Sequence, residues 1–445
     1  MAHVGRTIVV SSWFLAVFGG TLWYEWDMTP ENMFHDLLGL GLSWVVEECI
    51  YDGRYAKVVL RVKETEHLWE QERCPKCGGR VSLYDHTEPL RWRHLNCFEH
   101  ECEIECRLPR GRCASCEHTY RVRPPWEGKS KHFTKEFEAF TLVLAREMPM
   151  KKVGDILKET DTRLWRMVLL HVDAAYGEAD FSGVTCVGVD ELSRCRGHRY
   201  VSVFADLLAK RVIFATEGKD QTVWDRFGEA LPAHHGHADQ IRNVSMDMSA
   251  AYVTGVTKTC LNAEIVFDKY HVIAHVNEGV DAVRRCEMRT GGWDVREELK
   301  KTRWVWLKNP QNLTVKEQKR LARVDQQNRC TAKAYQMRLT LQDIYLLHDA
   351  SIAKRKLLAW CRWVRVVACR HASLMFDQMV KCANMIEVHL NGILAHWKHR
   401  LTNGYMEGLN SVFSAVKRKA RGYRSPRYLI AMLYFVAGKL RLPAM

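Results

Sequence analysis

At 445 residues the chain is longer than one ordinary domain and should form roughly two to four. A composition of 47% hydrophobic and 27% charged residues excludes a disordered polymer. The net charge of +14, from 66 Lys+Arg against 52 Asp+Glu, favours polyanionic partners, because each phosphate neutralised by a cation releases condensed counterions. Sixteen cysteines in so long a chain do not suit the disulfide framework of a small secreted domain. Seven of them crowd between Cys74 and Cys116, which points to metal in a reducing cytosol.

Ile8 to Tyr24 is apolar and follows Arg6, but it lacks a small-residue cleavage site and is marginal in length for a membrane span. Met33 reads as the natural start, with residues 1–32 an extension outside the fold. No membrane association is expected.

The first chemical signal lies in 33–127. Arg73-Cys-Pro-Lys-Cys-Gly-Gly supplies Cys74 and Cys77, and Arg112-Cys-Ala-Ser-Cys-Glu-His supplies Cys113 and Cys116. Two Cys-x-x-Cys knuckles a few dozen residues apart form the ligand pattern of a zinc ribbon, four thiolates closing on one tetrahedral ion. Strands are expected at Leu90 to Leu95 and Cys102 to Leu108, and the intervening hairpin should bring the knuckles together, with Gly78 and Gly79 permitting the tight turn. Cys97, Cys102 and Cys106 are surplus to one site and read as strand side chains. Arg91, Arg93, Arg107, Arg110 and Arg112 would present a basic surface.

Across 128–180 the apolar period becomes helical. A short helix near Val153 to Leu157 and a second from Asp161 to Ala175, capped by Thr160 or Asp161, resemble a helix-turn-helix. Arg163 and Arg166 on the second helix are its candidate DNA contacts. A plain helix-packing unit fits the same pattern.

The segment 181–445 carries the architecture. Val184-Thr-Cys-Val-Gly-Val-Asp190 reads as a buried strand ending in an acid. Arg199 to Asp206 and Arg211 to Glu217 follow as strands, then a helix capped by Asp220. The strand Ile241 to Asp247 also ends in an acid; a helix from Ser249 and the strand Ala263 to Phe267 complete the series. This order is that of an α/β ribonuclease H-like fold, which makes the strands bearing Asp190 and Asp247 neighbours. Two such carboxylates need a cation between or beside them, and oxygen ligands favour magnesium or manganese. A third acid should come from a later helix, and Glu407 is the candidate. Helical spacing places Glu407, Asn410, Ser414 and Lys417 on a polar side, opposite Tyr405, Leu409, Val412 and Val416. From Gly408 onward the chain has eight Lys or Arg and no acid, so Asn410, Lys417, Arg418 and Arg421 are candidate DNA contacts. A helical insertion spans about 272–400, where Trp293, Trp304 and Trp306 suit either a core or a contact surface. His271 is a candidate neighbour of the site.

Seven stretches carry a family resemblance: the two cysteine knuckles, Arg91-Trp-Arg-His-Leu, Gly188-Val-Asp-Glu, Phe267-Asp-Lys-Tyr-His, Thr302-Arg-Trp-Val-Trp-Leu-Lys-Asn-Pro and Asn403-Gly-Tyr-Met-Glu-Gly-Leu-Asn. From Met33 on, the chain resembles transposases of the bacterial IS-L-three insertion-sequence family. That resemblance implies an aspartate-aspartate-glutamate triad on Asp190, Asp247 and Glu407. It also implies metal-dependent cleavage and strand transfer at insertion-sequence ends. The expected cofactors are two divalent cations and one structural zinc. The expected partners are double-stranded DNA, as terminal inverted repeats and target, and a homodimer or higher assembly in the bacterial cytoplasm, nucleoid-associated when bound. A nuclease with the same core but no strand transfer, and a catalytically silent DNA-binding regulator, are the rival readings.

Overall fold

The computed structural model describes residues 29–195, 199–326, 329–371, 374–400, 404–423 and 425–443. The apolar stretch Ile8 to Tyr24, Asn403 and Arg424 lie outside them. Among the described residues no helix is long and apolar enough to cross a membrane. The chain divides after Lys135 into two compact units.

In the first unit, helix α1 (Pro30–Leu38) precedes strands β1 (Trp44–Asp52) and β2 (Lys57–Glu64), then α2 (Glu66–Gln71). Thr29 caps α1 by accepting from the Asn32 amide, so residues 29–32 belong to the fold and the expected boundary at Met33 falls inside a helix. Five strands follow: β3 (Val81–His86), β4 (Leu90–Cys97), β5 (His100–Cys106), β6 (Pro109–Cys113) and β7 (Thr119–Arg121). They form two sheets, β1-β2-β5-β4 and β3-β6-β7. Trp44, Trp92 and Trp126 lock the core of the first, Trp126 standing edge-on to both partners at 5.0 and 6.0 Å. The Arg93 amide donates to His132 O and the Thr134 amide to Arg93 O, so residues 128–135 belong to this unit rather than to the helices that follow.

The second unit opens with α3 (Lys135–Glu147), α4 (Met150–Leu157) and α5 (Asp161–Gly177). Next come β8 (Cys186–Cys195), β9 (Arg199–Asp206), β10 (Arg211–Glu217), α6 (Thr222–Ala230), β11 (Asn243–Met246), α7 (Ala250–Thr259) and β12 (Glu264–Phe267). The sheet order is β10-β9-β8-β11-β12. The first three strands are antiparallel, and β11 runs parallel to both β8 and β12. Apolar runs flanked by polar turns produce this sheet, with Phe204, Trp224 and Phe227 stacked between it and α6.

The insertion is a helical body: α8 (Lys269–Thr290), α9 (Trp293–Leu299), α10 (Arg303–Leu307), α11 (Val315–Gln326), α12 (Cys330–Tyr345), α13 (Ala350–Arg370), α14 (Asp377–Val388) and α15 (Leu390–His399). The Thr302-Arg-Trp motif is part of its frame. Trp306 is buried and donates to Thr302 Oγ1 at 3.0 Å. Buried Arg338 of α12 donates to Leu307 O and Asn309 Oδ1 at 3.1 and 2.7 Å. Trp293 and Trp304 are 76% and 65% exposed, so the three tryptophans divide between core and surface. Helices α16 (Gly404–Lys419) and α17 (Pro426–Ala437) end the fold.

Candidate active site and zinc-ligand cluster

The four knuckle cysteines converge. Their sulfurs all lie within 4.8 Å of one another, with Cys74–Cys116 at 3.6 Å and Cys77 at 3.4 Å from both Cys113 and Cys116. Thiolates about 2.3 Å from a tetrahedral zinc sit about 3.8 Å apart, so the cluster fits that ion. The expected route to this closure needs correction. The β4–β5 hairpin belongs to the other sheet, and it is β3 pairing with β6, Val81 opposite Cys113, that joins the knuckles. Gly78 takes the left-handed φ of +72°, and a Cβ on Gly79 would meet Ser115 Oγ at 2.8 Å. Cys102 and Cys106 are buried on one face of β5, as strand alternation requires, with Cys97 half-buried.

The basic surface expected around the ribbon is largely neutralised. Arg93 is buried and donates to Cys102 O at 3.1 Å. Arg91 pairs with Glu105 at 2.6 Å, Arg110 with Asp85, and Arg112 with Glu117 at 3.3 Å. These arginines brace strands; cross-strand charge pairing spends their cations inside the unit.

In the second unit, Asn243 is level with Cys186 and Ser245 with Gly188, so the same register puts Asp247 level with Asp190. Asp190 does not end its strand as expected. β8 continues to Cys195 because Glu191, Leu192 and Ser193 pair with β9. Asp247 lies one residue beyond β11, where its Oδ1 accepts from the Ser249 amide at 2.9 Å.

Gly188 and Asp190 share a strand face, and α16 crosses it. A Cβ at Gly188 would stand 2.6 Å from Leu207 Cδ2 and 3.0 Å from Met406 Cγ, so glycine admits the helix to the strand. One turn along, Asn410 Nδ2 donates to Asp190 Oδ2 at 2.6 Å, and Lys417 Nζ to Ser193 O at 2.5 Å. The buried stripe of α16 is therefore Met406, Leu409 and Phe413; Val412, expected on the packed side, is 42% exposed. Replacing Gly188 by Val should lift α16 and cost about 1–3 kcal/mol, the range for overpacking, read as a lower urea midpoint.

Glu407 is exposed, three residues before Asn410, and borders a cavity of about 730 Å³ with Lys269, Tyr270, Asn309 and Asp343. It does not close a tight trio with the aspartates: among the described residues the only group of three or more ligand atoms within 4.8 Å is the cysteine cluster.

Burial, more than any other influence, pushes the Asp190 carboxyl above its usual range; Asp247 adds to the rise. The Glu191 amide, Asn410 and the charge of His271 oppose it. His271 is held nearby by its motif: Asp268 caps α8, accepting from the Tyr270 amide at 3.2 Å. Glu191 was given no role by sequence. It is half-buried and raised mainly by burial, then by Asp247, with Lys219 opposing. Its level partner Ser202 lies 2.7 Å from Tyr252 Oη. The signal for it was a second acid directly after Asp190.

Of the remaining candidates, Arg163 and Arg166 lie on the exposed stripe of α5, and Arg163 pairs with Glu159 at 2.5 Å. The opposite face of α5 is buried, with Trp165 stacked on Tyr428 at 4.5 Å. In the terminal basic run, Lys417, Lys419 and Lys439 donate to backbone carbonyls and Arg427 pairs with Asp173. Arg418 and Arg421 are exposed and make no ion pair among the described residues.

Comparison with known proteins places both regions in known families. The zinc-finger family of the transposases of IS204, IS1001, IS1096 and IS1165 matches residues 70–116. The transposase for insertion sequence element IS1557 of Mycobacterium tuberculosis is 28% identical over 438 residues, covering 91% of this chain and 95% of its own. The transposase for insertion sequence element IS1001 of Bordetella parapertussis is 27% identical over 360 residues, covering 80% and 86%. The ISL3 transposase family matches residues 187–433, more than half of the chain, taking in the sheet from Val187 on together with α16, and the chain belongs to that family.

Proposed function

We propose that this chain is a DNA strand-transfer enzyme with a ribonuclease H-like core, which cleaves insertion-sequence ends and joins them to target DNA. Asp190, Asp247 and Glu407 carry the reaction. The observation that supports this most is the level placement of Asp190 with Asp247, under the helix that bears Glu407 and ties Asn410 to Asp190 at 2.6 Å. The strand order β10-β9-β8-β11-β12, with its change from antiparallel to parallel at β8, supports the core assignment.

The donor set is all hard oxygen, which suits two ions of the magnesium or manganese class held by the three carboxylates. When bound, such ions supply Lewis-acid activation of an attacking oxygen and charge neutralisation at a leaving one. The protein's own part is positioning. Asn410 and the Glu191 amide fix the two oxygens of Asp190, and the Ser249 amide fixes Asp247. Glu407, exposed one turn before Asn410 on α16, would supply the third carboxylate to those ions. Arg418 and Arg421 hold the DNA backbone beside the site, and Arg163 and Arg166 contact the end sequence. The cysteine cluster holds a structural zinc. Acting on two ends calls for a homodimer or larger assembly on double-stranded DNA.

The test uses the full chain, duplexes of the DNA that flanks its gene, a supercoiled target plasmid and magnesium or manganese. Covalent end–plasmid joints are the expected product. Cleavage without joining would assign a nuclease, and end binding without cleavage a catalytically silent DNA-binding relative.

A further inference from the structure

The corner between α8 and α9 has a chemistry that the insertion's own stability does not require. A cleft of about 720 Å³ is lined there by Arg285, Arg289, Arg296, Met288 and Trp293, over a floor that includes Arg284. The sharp corner depends on Gly291. A Cβ on Gly291 would meet Val295 Cβ at 2.7 Å and Glu287 O at 2.8 Å, so only glycine lets the chain turn back this closely. The turn throws Trp293 outward, leaving it 76% exposed.

The charges around it are not uniformly spent. Arg284 and Arg285 pair with Asp281 at 2.8 and 3.3 Å and keep the floor fixed. Arg289 and Arg296 are exposed and make no ion pair among the described residues. Further along, Arg303 reaches the same Asp281 at 3.6 Å and lies 5.2 Å from the ring of Trp304, itself 65% exposed. Each exposed indole therefore has guanidinium groups beside it, Arg289 and Arg296 in the cleft with Trp293 and Arg303 next to Trp304.

Duplex phosphates need only the cations. Large exposed indoles are costly in water, and beside cations they suit the faces of unstacked bases, which a duplex does not offer. We infer that this surface binds an unpaired DNA strand, one base stacking on Trp293 while Arg289 and Arg296 hold its flanking phosphates. The inference rests on the proposed DNA-processing role, and it adds that the DNA is locally single-stranded where the insertion grips it. Trp304 offers a second stacking face.

The test is equilibrium binding of fluorescein-labelled oligothymidine, and of a duplex of equal length, to the full chain in EDTA. Trp293→Ala should weaken oligothymidine about tenfold or more, within the range for losing one stacked base. It should leave the duplex affinity unchanged. Trp293→Phe, which keeps an aromatic face, should stay within about threefold. Arg289→Ala with Arg296→Ala should flatten the salt dependence of oligothymidine binding. Unchanged oligothymidine binding by Trp293→Ala, an equal loss for the duplex, or a loss by Trp293→Phe as large as by Ala would each overturn the inference. Metal-free binding does not depend on the carboxylates, so a failed strand-transfer assay leaves this result readable, and the reverse also holds.

Discussion

Replacing Asp190 by Asn should abolish end cleavage and joining, by at least about a thousandfold, while end binding stays within a few-fold. An amide keeps the shape and can still meet Asn410, but on the proposed reading it removes the negative charge and one hard ligand that would hold the cations. Preorganised charge of this kind contributes on the order of 3–4 kcal/mol or more per contact. The same substitution should stabilise the metal-free protein. Burial raises the Asp190 carboxyl in the folded chain, so between its unfolded and folded values the native state holds the extra proton and stability falls as pH rises. Above that window the ionised carboxylate opposes folding, and Asn relieves it. At neutral pH and without metal, the variant should therefore melt higher than the parent. Added magnesium or manganese should raise the parent's melting temperature more than the variant's. Cleavage by the variant, or a lower melting temperature without metal, would remove Asp190 from its assigned place.

The second large effect concerns the cysteine cluster. The β3-β6-β7 sheet has almost no apolar interior of its own: Val81 and the sulfurs of Cys74 and Cys113 form it, with Trp69 and Tyr120 at the edge. Structural zinc contributes about 10–16 kcal/mol in finger-sized peptides, and a sheet this thin has little else to draw on. Stripping the metal, or replacing Cys113 by Ser, should abolish amide protection across 73–86 and 109–121. The neighbouring β1-β2-β5-β4 sheet should keep its protection, because Trp44, Trp92, Trp126 and Ile104 give it a conventional core. Hydrogen exchange before and after chelation separates these outcomes. One molar equivalent of zinc should be lost in parallel. Retained protection in β3 and β6 after chelation would show that the cysteines act only as small buried side chains.

The sheet of the second unit was legible where strand and burial coincide. Arg199–Asp206 and Arg211–Glu217 fall where the apolar runs place them, because most side chains of both strands are buried and polar turns bound them. Past Asp190 the signal fails: Glu191, Ser193 and Arg194 break the apolar run, although backbone pairing with β9 carries the strand on to Cys195. For the same reason β1 and β2 were not anticipated, since Glu47, Glu48, Arg61 and Lys63 interrupt them and find cross-strand partners instead. Arg93 was assigned to the surface by its charge; three-dimensional closure of the loop at 132–134 buries it. The two aspartates could be picked out by the apolar runs that precede them, and Glu407 by helical spacing. The link between them, Asn410 to Asp190, depends on a helix arriving over a glycine more than two hundred residues earlier, which no local pattern encodes.

That long-range contact has a consequence for synthesis. The Asn410–Asp190 bond joins residues 220 apart, and all of α8 to α15 lies between β12 and α16. A ribosome must therefore finish the entire helical body before the last carboxylate and its companion amide can dock. On the proposed reading, a nascent or prematurely terminated product can fold its zinc ribbon and most of its sheet yet hold no competent cutting centre. DNA breakage is thus deferred until translation is nearly complete, and truncated copies would compete for ends without severing them.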